Sequence, residues 1–141
     1  MSTEQNKAND RRLIEGLNQG NLGVIDEVTA PDFVLHESST TMPGREAFKQ
    51  FVQMYFTAFP DLHFTIEEQI TERDMTATRY TARGTHRGDL MGIAPSSKQI
   101  TVTGIYLLRW SNGKSVEGWL NFDALGLLQQ VGAVPALSNA G

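Results

Sequence analysis

The chain has 141 residues, 16 acidic against 12 basic, a formal net charge of -4 and no cysteine. That length suits one domain with a real core, the acidic balance disfavours a nucleic-acid partner, and the missing thiols exclude disulfide staples, thiolate nucleophiles and cysteine-bound metal clusters. The polar N-terminus has no apolar signal-like core, and no stretch approaches the roughly 18 apolar residues of a membrane span, so a soluble, cytoplasmic protein with no membrane partner is expected.

No repeat, low-complexity tract or linker divides residues 1–141, which are expected to form a single domain frayed at about 1–5 and 133–141. The first helix is expected over Asn6 to Asn18, with Leu13, Ile14 and Leu17 on one side and Gly20 just past its end. Asn21 is expected to cap a shorter helix carrying Leu22, Ile25 and Val28, which Pro31 stops. After the strand-like run Phe33 to His36 and a polar loop, Pro43-Gly44 opens the clearest helix. Its aromatic stripe of Phe48, Phe51, Val52, Tyr55 and Phe59 follows the helical period. Pro60 ends it.

From Leu62 the period drops to two, with Leu62, Phe64, Ile66 and Ile70 alternating against His63, Thr65, Glu67 and Gln69. Further strands are expected over Met75–Thr85, Gln99–Trp110 and Ser115–Phe122. Asn112-Gly113 marks a tight hairpin between the last two. A short final helix from Ala124 to Val131 carries Leu125, Leu128 and Val131 on one side and stops at Gly132. Helices first and strands later make the class α+β, with a curved, mainly antiparallel sheet covered by N-terminal helices on its concave side and enclosing a cone. A cone lined by apolar and aromatic side chains suits a hydrophobic small molecule.

Several chemistries lack their sequence signatures. There is no Gly-x-Ser-x-Gly elbow, no Walker loop, no Gly-x-Gly-x-x-Gly and no His-Glu-x-x-His. The histidines, His36, His63 and His86, are more than twenty residues apart, so no local metal-ligand spacing exists. Neither a cofactor nor a metal is expected, and what remains is acid–base work by isolated side chains in a pocket.

The order of motifs resembles the SnoaL-like polyketide cyclase family from about Asn6 to Gly132. The likeness rests on Asn18-Gln-Gly-Asn-Leu22, on Ala30-Pro-Asp-Phe-Val34 followed by His36, and on Pro43-Gly-Arg-Glu46 before the aromatic helix. Ala58-Phe-Pro-Asp-Leu62, Gly84-Thr-His-Arg-Gly88 with Gly92-Ile-Ala-Pro95, and the segment from Asp123 to Gly132 complete it. The resemblance implies the cone-shaped α+β barrel of nuclear-transport-factor-like proteins, a sheet-to-sheet homodimer, and aldol ring closure without metal or coenzyme. Relatives act as hydroxylase components, epoxide hydrolases or isomerases. By the same resemblance the cyclases' His and acid–base Asp on the last long strand fall at Gly118 and Leu120. Their Gln and His on the preceding strand fall at Gly104 and Tyr106, and their Asn after the second helix at Leu35. Leu120 and Gly118 can neither remove nor supply a proton.

The catalytic candidates are therefore His36, His86, Tyr106 and Asp123. His36 follows an apolar run and is expected to point into the cone or sit at its rim. His86 lies at a glycine-flanked bend beside the pocket, and Tyr106 shares strand parity with Val102, Gly104 and Leu108, hence an interior place. Asp123 is the carboxylate nearest the vacated position, and equally the N-cap of the last helix. Tyr80 carries a weaker version of the Tyr106 argument. Phe51, Tyr55, Leu108, Leu120 and Trp119 are the substrate-binding candidates, although alternation puts Trp119 opposite Leu120. Trp110 and Trp119 are both assigned to the outer sheet face, where they would support a homodimer. Two functional readings follow: a cofactor-free acid–base enzyme acting on a polyketide- or terpenoid-like molecule, or a binding or accessory protein that keeps the cone without the chemistry. A nucleic-acid or transport adaptor has no support in the charge or the motifs.

Overall fold

The computed structural model describes residues 2–135, so the expected fraying from 136 onward lies outside the described residues. The N-terminus is ordered earlier than expected, because Ser2 accepts a hydrogen bond from the Gln5 backbone N–H at 3.1 Å and starts helix α1 (Thr3–Asn18). At its other end Gly20 takes φ 75°, its N–H reaches the Leu17 carbonyl, and the Asn21 N–H reaches that of Gly16. These paired bonds close the last turn around a left-handed residue, as glycine permits. Asn21 forms a local turn, accepting from Gly23 N–H at 3.1 Å, while Gly23 caps α2 (Val24–Val28) without side-chain help.

Two strands were not foreseen as sheet members: β1 (Thr29–Glu37) and β2 (Thr40–Pro43). Pro31 sits inside β1 rather than merely ending α2, within the irregular stretch between Thr29 and Val34 where a missing N–H costs no ladder bond. Then come α3 (Arg45–Ala58), β3 (His63–Glu72), β4 (Met75–Thr85), β5 (Gln99–Ser111), β6 (Lys114–Phe122) and α4 (Ala124–Gln130). The sheet has six strands in the order β2-β1-β6-β5-β4-β3, curved and unclosed. All its pairings are antiparallel except β1 with β6. Asn112 and Gly113 both take positive φ in the β5–β6 hairpin, as its two-residue turn requires.

Burial follows parity. Along β5 it alternates without exception, placing Ile100, Val102, Gly104, Tyr106, Leu108 and Trp110 on the inner face. Trp110 thus corrects the expected outer position: it shares the parity of Leu108, is buried, and its Nε1–H donates to Thr76 Oγ1 at 2.9 Å. Of the stripe expected for the last helix, Val131 at the C-cap is buried and Leu125 is exposed, while within α4 the buried side chain is Leu127 rather than Leu128. The core lies between the sheet's inner face and α1, α2 and α3, where Leu13, Ile14 and Leu17 meet Val24, Ile25, Phe33 and Leu35. Each such side chain contributes about 1.5–3 kcal/mol on burial.

Candidate functional site

Two neighbouring cavities open between the helices and the inner sheet face. The larger, about 100 Å³, lies toward the C-terminal end of β6. Its wall combines Phe51, Tyr55 and Phe59 of the α3 stripe with Tyr80, Leu120 and Phe122 of the sheet, and Leu127 of α4 closes one side. The smaller, about 90 Å³, reaches toward α1 and includes Leu35, Phe48, Tyr106 and Leu108. Phe64, Tyr80 and Leu120 line both. A cavity of roughly 150 Å³ holds a benzene ring, so the two spaces together match one or two fused rings. A larger molecule would have to project outside.

Every side chain lining the larger cavity is hydrocarbon except Tyr55 and Tyr80. Burial pushes the Tyr55 phenol up to about 12, with the charge of Glu37 adding to the effect. Burial raises Tyr80 as well, helped by Tyr55 and Glu37. Both hydroxyls therefore stay protonated at physiological pH and can donate to an oxygen acceptor. The position of Tyr80 has a specific cause. Its cross-strand partner is Gly104, and a Cβ there would stand 2.4 Å from the Tyr80 hydroxyl oxygen. The glycine is what lets the phenol lie across β5. Gly118 works similarly, since a Cβ would meet Leu108 Cδ2 and Phe33 Cζ at 2.9 Å. Apolar side chains fill the space above it.

The four catalytic candidates do not converge. His36 faces away from the cone, because Leu35 before it takes the inner position. Its Nε2 lies 2.8 Å from Glu117 Oε2, its Nδ1 3.3 Å from Thr41 Oγ1, and its ring stacks on Trp119 with centroids 5.5 Å apart. The expectation that His36 points inward is corrected by this parity. Trp119 is on that same outer face, with the Arg109 guanidinium 5.7 Å from its ring, and lines neither cavity. His86 is fully buried against Phe59, behind the cavity wall. Its Nδ1 accepts the Ser96 N–H at 3.1 Å, which puts the neutral ring's proton on Nε2, a buried atom with no hydrogen-bond partner among the described residues.

Tyr106 is interior, as parity requires, and its ring lines the smaller cavity, but its hydroxyl donates to Asp10 Oδ1. Asp10 Oδ2 also accepts from Thr76 Oγ1 at 2.6 Å and Thr78 Oγ1 at 3.3 Å. The Tyr106 phenol is held well above its ordinary value, first by burial and then by Asp10. Asp123 is exposed and caps α4, accepting from Gly126 N–H at 2.9 Å. Of the substrate-binding candidates, Phe51, Tyr55 and Leu120 line the larger cavity and Leu108 the smaller.

The sequence reading passed over Glu37. It has the parity of Leu35, is only half-buried, and is the Cα partner of Leu120, which lines both cavities. Alternation from Leu35 would have revealed it once the run was extended as a strand. Among the described residues no group of three or more His, Cys, Asp or Glu could hold a metal ion, and no helix is long and apolar enough to cross a membrane.

A family model for SnoaL-like polyketide cyclases matches residues 7–131. The chain belongs to that family. No curated protein matches it in sequence. Among solved structures it is similar to AclR from Streptomyces galilaeus, named "a putative hydroxylase", at TM-score 0.90 and 26% identity, covering 98% of this chain and 87% of that one. It is likewise similar to IdmH from Streptomyces antibioticus, named "a putative polyketide cyclase", at TM-score 0.81 and 31% identity over 91% and 99% of the two chains. A SnoaL-like protein from Jannaschia sp. CCS1 aligns at TM-score 0.86 and 25% identity over 94% and 95%. The SnoaL-like fold is thus established for this chain, and the neighbours' names span more than one chemistry.

Proposed function

We propose that this SnoaL-like protein takes a flat, mainly apolar, carbonyl-bearing molecule of polyketide or terpenoid type into its cone and acts on it by acid–base chemistry supplied by its own side chains. The observation that carries this reading is the pair of phenols, Tyr55 and Tyr80, in an otherwise hydrocarbon wall. Apolar surface supplies affinity for fused rings, and a neutral phenol in a dry site donates a hydrogen bond that strengthens as negative charge develops on the carbonyl oxygen. Cyclisation, isomerisation and hydration all begin with such polarisation.

Calorimetric titration with naphthalene and with 2-tetralone, a bicyclic ketone of similar size, tests it. The ketone is expected to bind about five- to tenfold more tightly, the worth of roughly one hydrogen bond. Tyr55→Phe and Tyr80→Phe are expected to erase the difference while leaving naphthalene affinity unchanged. Equal affinities for the two probes in the wild-type protein overturn the reading.

A specific observation also favours a second reading, that of a binding or accessory protein. The position matching the cyclases' His is Gly118, and its space is occupied by Leu108 and Phe33. On that reading the ketone preference persists and no bond to carbon changes.

A further inference from the structure

We propose that Glu37 is the proton acceptor of this site, taking a proton from the carbon beside a substrate carbonyl whose oxygen is held by Tyr55 and Tyr80. The proposal rests on the acid–base reading above and assigns its missing base. A carbonyl-polarising pair alone makes an α-proton more acidic without removing it. Some carboxylate or imidazole must sit within reach. The candidates elsewhere in the fold are engaged: His36 is on the outer face with Glu117, His86 is sealed behind Phe59, Asp10 is buried under three hydroxyls, and Asp123 caps α4.

Glu37 itself lines neither cavity, and three features place it beside them. Its parity on β1 is that of Leu35, which lines the smaller cavity. It stands across from Leu120 in the β1–β6 ladder, and the Ser38 N–H donates to the Leu120 carbonyl at 3.2 Å, tying the end of β1 to that cavity-lining residue. Its negative charge adds to the upward push that burial gives both the Tyr55 and the Tyr80 phenols. Glu37 forms no salt bridge among the described residues, whereas Glu117, on β6 and the opposite face, lies against both His36 and Arg109. A carboxylate without a cation is free to accept a proton. Glu37 is half-buried, and its ladder partner is Leu120, which lines both cavities.

The step balances within the site. The C–H bond next to the carbonyl breaks and its proton passes to a Glu37 carboxylate oxygen. The electron pair forms the enolate double bond, and the charge reaching the carbonyl oxygen is met by the phenol O–H groups. When the protonated carboxyl exchanges its proton with solvent before returning one to the same carbon, the result is hydrogen exchange. When the proton is delivered to another carbon of a conjugated enolate, the result is isomerisation. Alternatively the enolate carbon attacks a second carbonyl of the same molecule, and the proton goes to the new alkoxide. No further reactant is required.

The test is hydrogen–deuterium exchange at the α-carbons of 2-tetralone in D₂O, followed by proton NMR. Wild-type protein is expected to accelerate exchange over buffer. Glu37→Gln, an isosteric change at a half-buried site, should lower the enzymatic rate about a hundredfold or more, the usual contribution of a general base, with tetralone affinity changed less than twofold. Glu37→Asp should retain part of the rate, and Glu117→Gln, the carboxylate on the opposite sheet face, all of it. Wild-type exchange that survives Glu37→Gln overturns the assignment while leaving the ketone-binding reading intact. Tetralone binding by the wild type without acceleration of exchange overturns both the base and the acid–base reading, and leaves the binder.

Discussion

Asp10 is the carboxylate with the least solvent in the molecule, and its neighbours decide how it behaves. It sits on the buried stripe of α1 and accepts hydroxyls from Tyr106, Thr76 and Thr78, with no salt-bridge partner among the described residues. Burial, the dominant influence, raises its pKa above the ordinary carboxylate value of 3.8, against the opposing pull of the hydroxyls. The folded state therefore keeps the proton to higher pH than the unfolded chain, so stability falls as pH rises from about 3.8 through the raised value and is flat above it. Asp10→Asn removes that slope, which urea titrations across pH 4 to 8 would reveal as a gap between variant and wild type that changes with pH. Asp10→Ala leaves three buried hydroxyls without their acceptor and should cost about 3 kcal/mol in the same measurement.

Among the elements, α4 closes one side of the larger cavity and the β5–β6 pair supplies part of its wall. α4 is short, and two local devices hold it: the Asp123 cap, and Gln130, whose side chain accepts from Thr101 N–H at 2.7 Å and donates to Thr101 carbonyl oxygen at 2.9 Å. Asp123→Ala should cost about 1 kcal/mol through the lost cap, seen as a lowered Tm, with tetralone exchange under saturating ligand unchanged. A large loss of exchange at full occupancy would instead make Asp123 part of the chemistry. On the sheet, Gly118→Ala forces a methyl against Leu108 and Phe33 and should cost about 1–3 kcal/mol by overpacking. Gly118→His should therefore destabilise the protein before it adds any chemistry. Gly104→Ala displaces the Tyr80 hydroxyl and should abolish the ketone preference in the calorimetric comparison while sparing naphthalene binding.

On the scale of the molecule, the outer sheet face carries Ile105 at 53% exposure and Leu107 at 37%, beside the half-buried Trp119. We propose that this face pairs with a second copy of the chain, since β-branched and aromatic side chains on an open sheet are stabilised by covering them. Trp110 is interior and contributes nothing to this patch, which is rimmed by Arg109 and Glu117. Light scattering at micromolar concentration should give twice the 15.6 kDa chain mass, and Ile105→Glu should halve it. A wild-type mass of one chain would overturn this interface.

The features legible from the sequence alone were local ones. The Gly20 helix stop, the α3 aromatic stripe between Pro43-Gly44 and Pro60, the change of period at Leu62, the Asn112-Gly113 hairpin and the Asp123 cap each depend on residues within a few positions of one another. Backbone geometry and side-chain spacing act over that range. Their order along the chain also sufficed for the family. The candidate site was only half legible: Phe51, Tyr55 and Leu120 fall where the pattern puts them, while His36 does not and Glu37 was missed. Parity says which residues share a face but not which face is inside, and for β1 that is decided by its parallel pairing with β6, some eighty residues away in the chain. Likewise no local signal says that Tyr80 fills the space over Gly104 or that Leu108 and Phe33 fill the space over Gly118. Close packing among distant segments settles those contacts, because interior volume must be filled by whichever side chains the topology brings there.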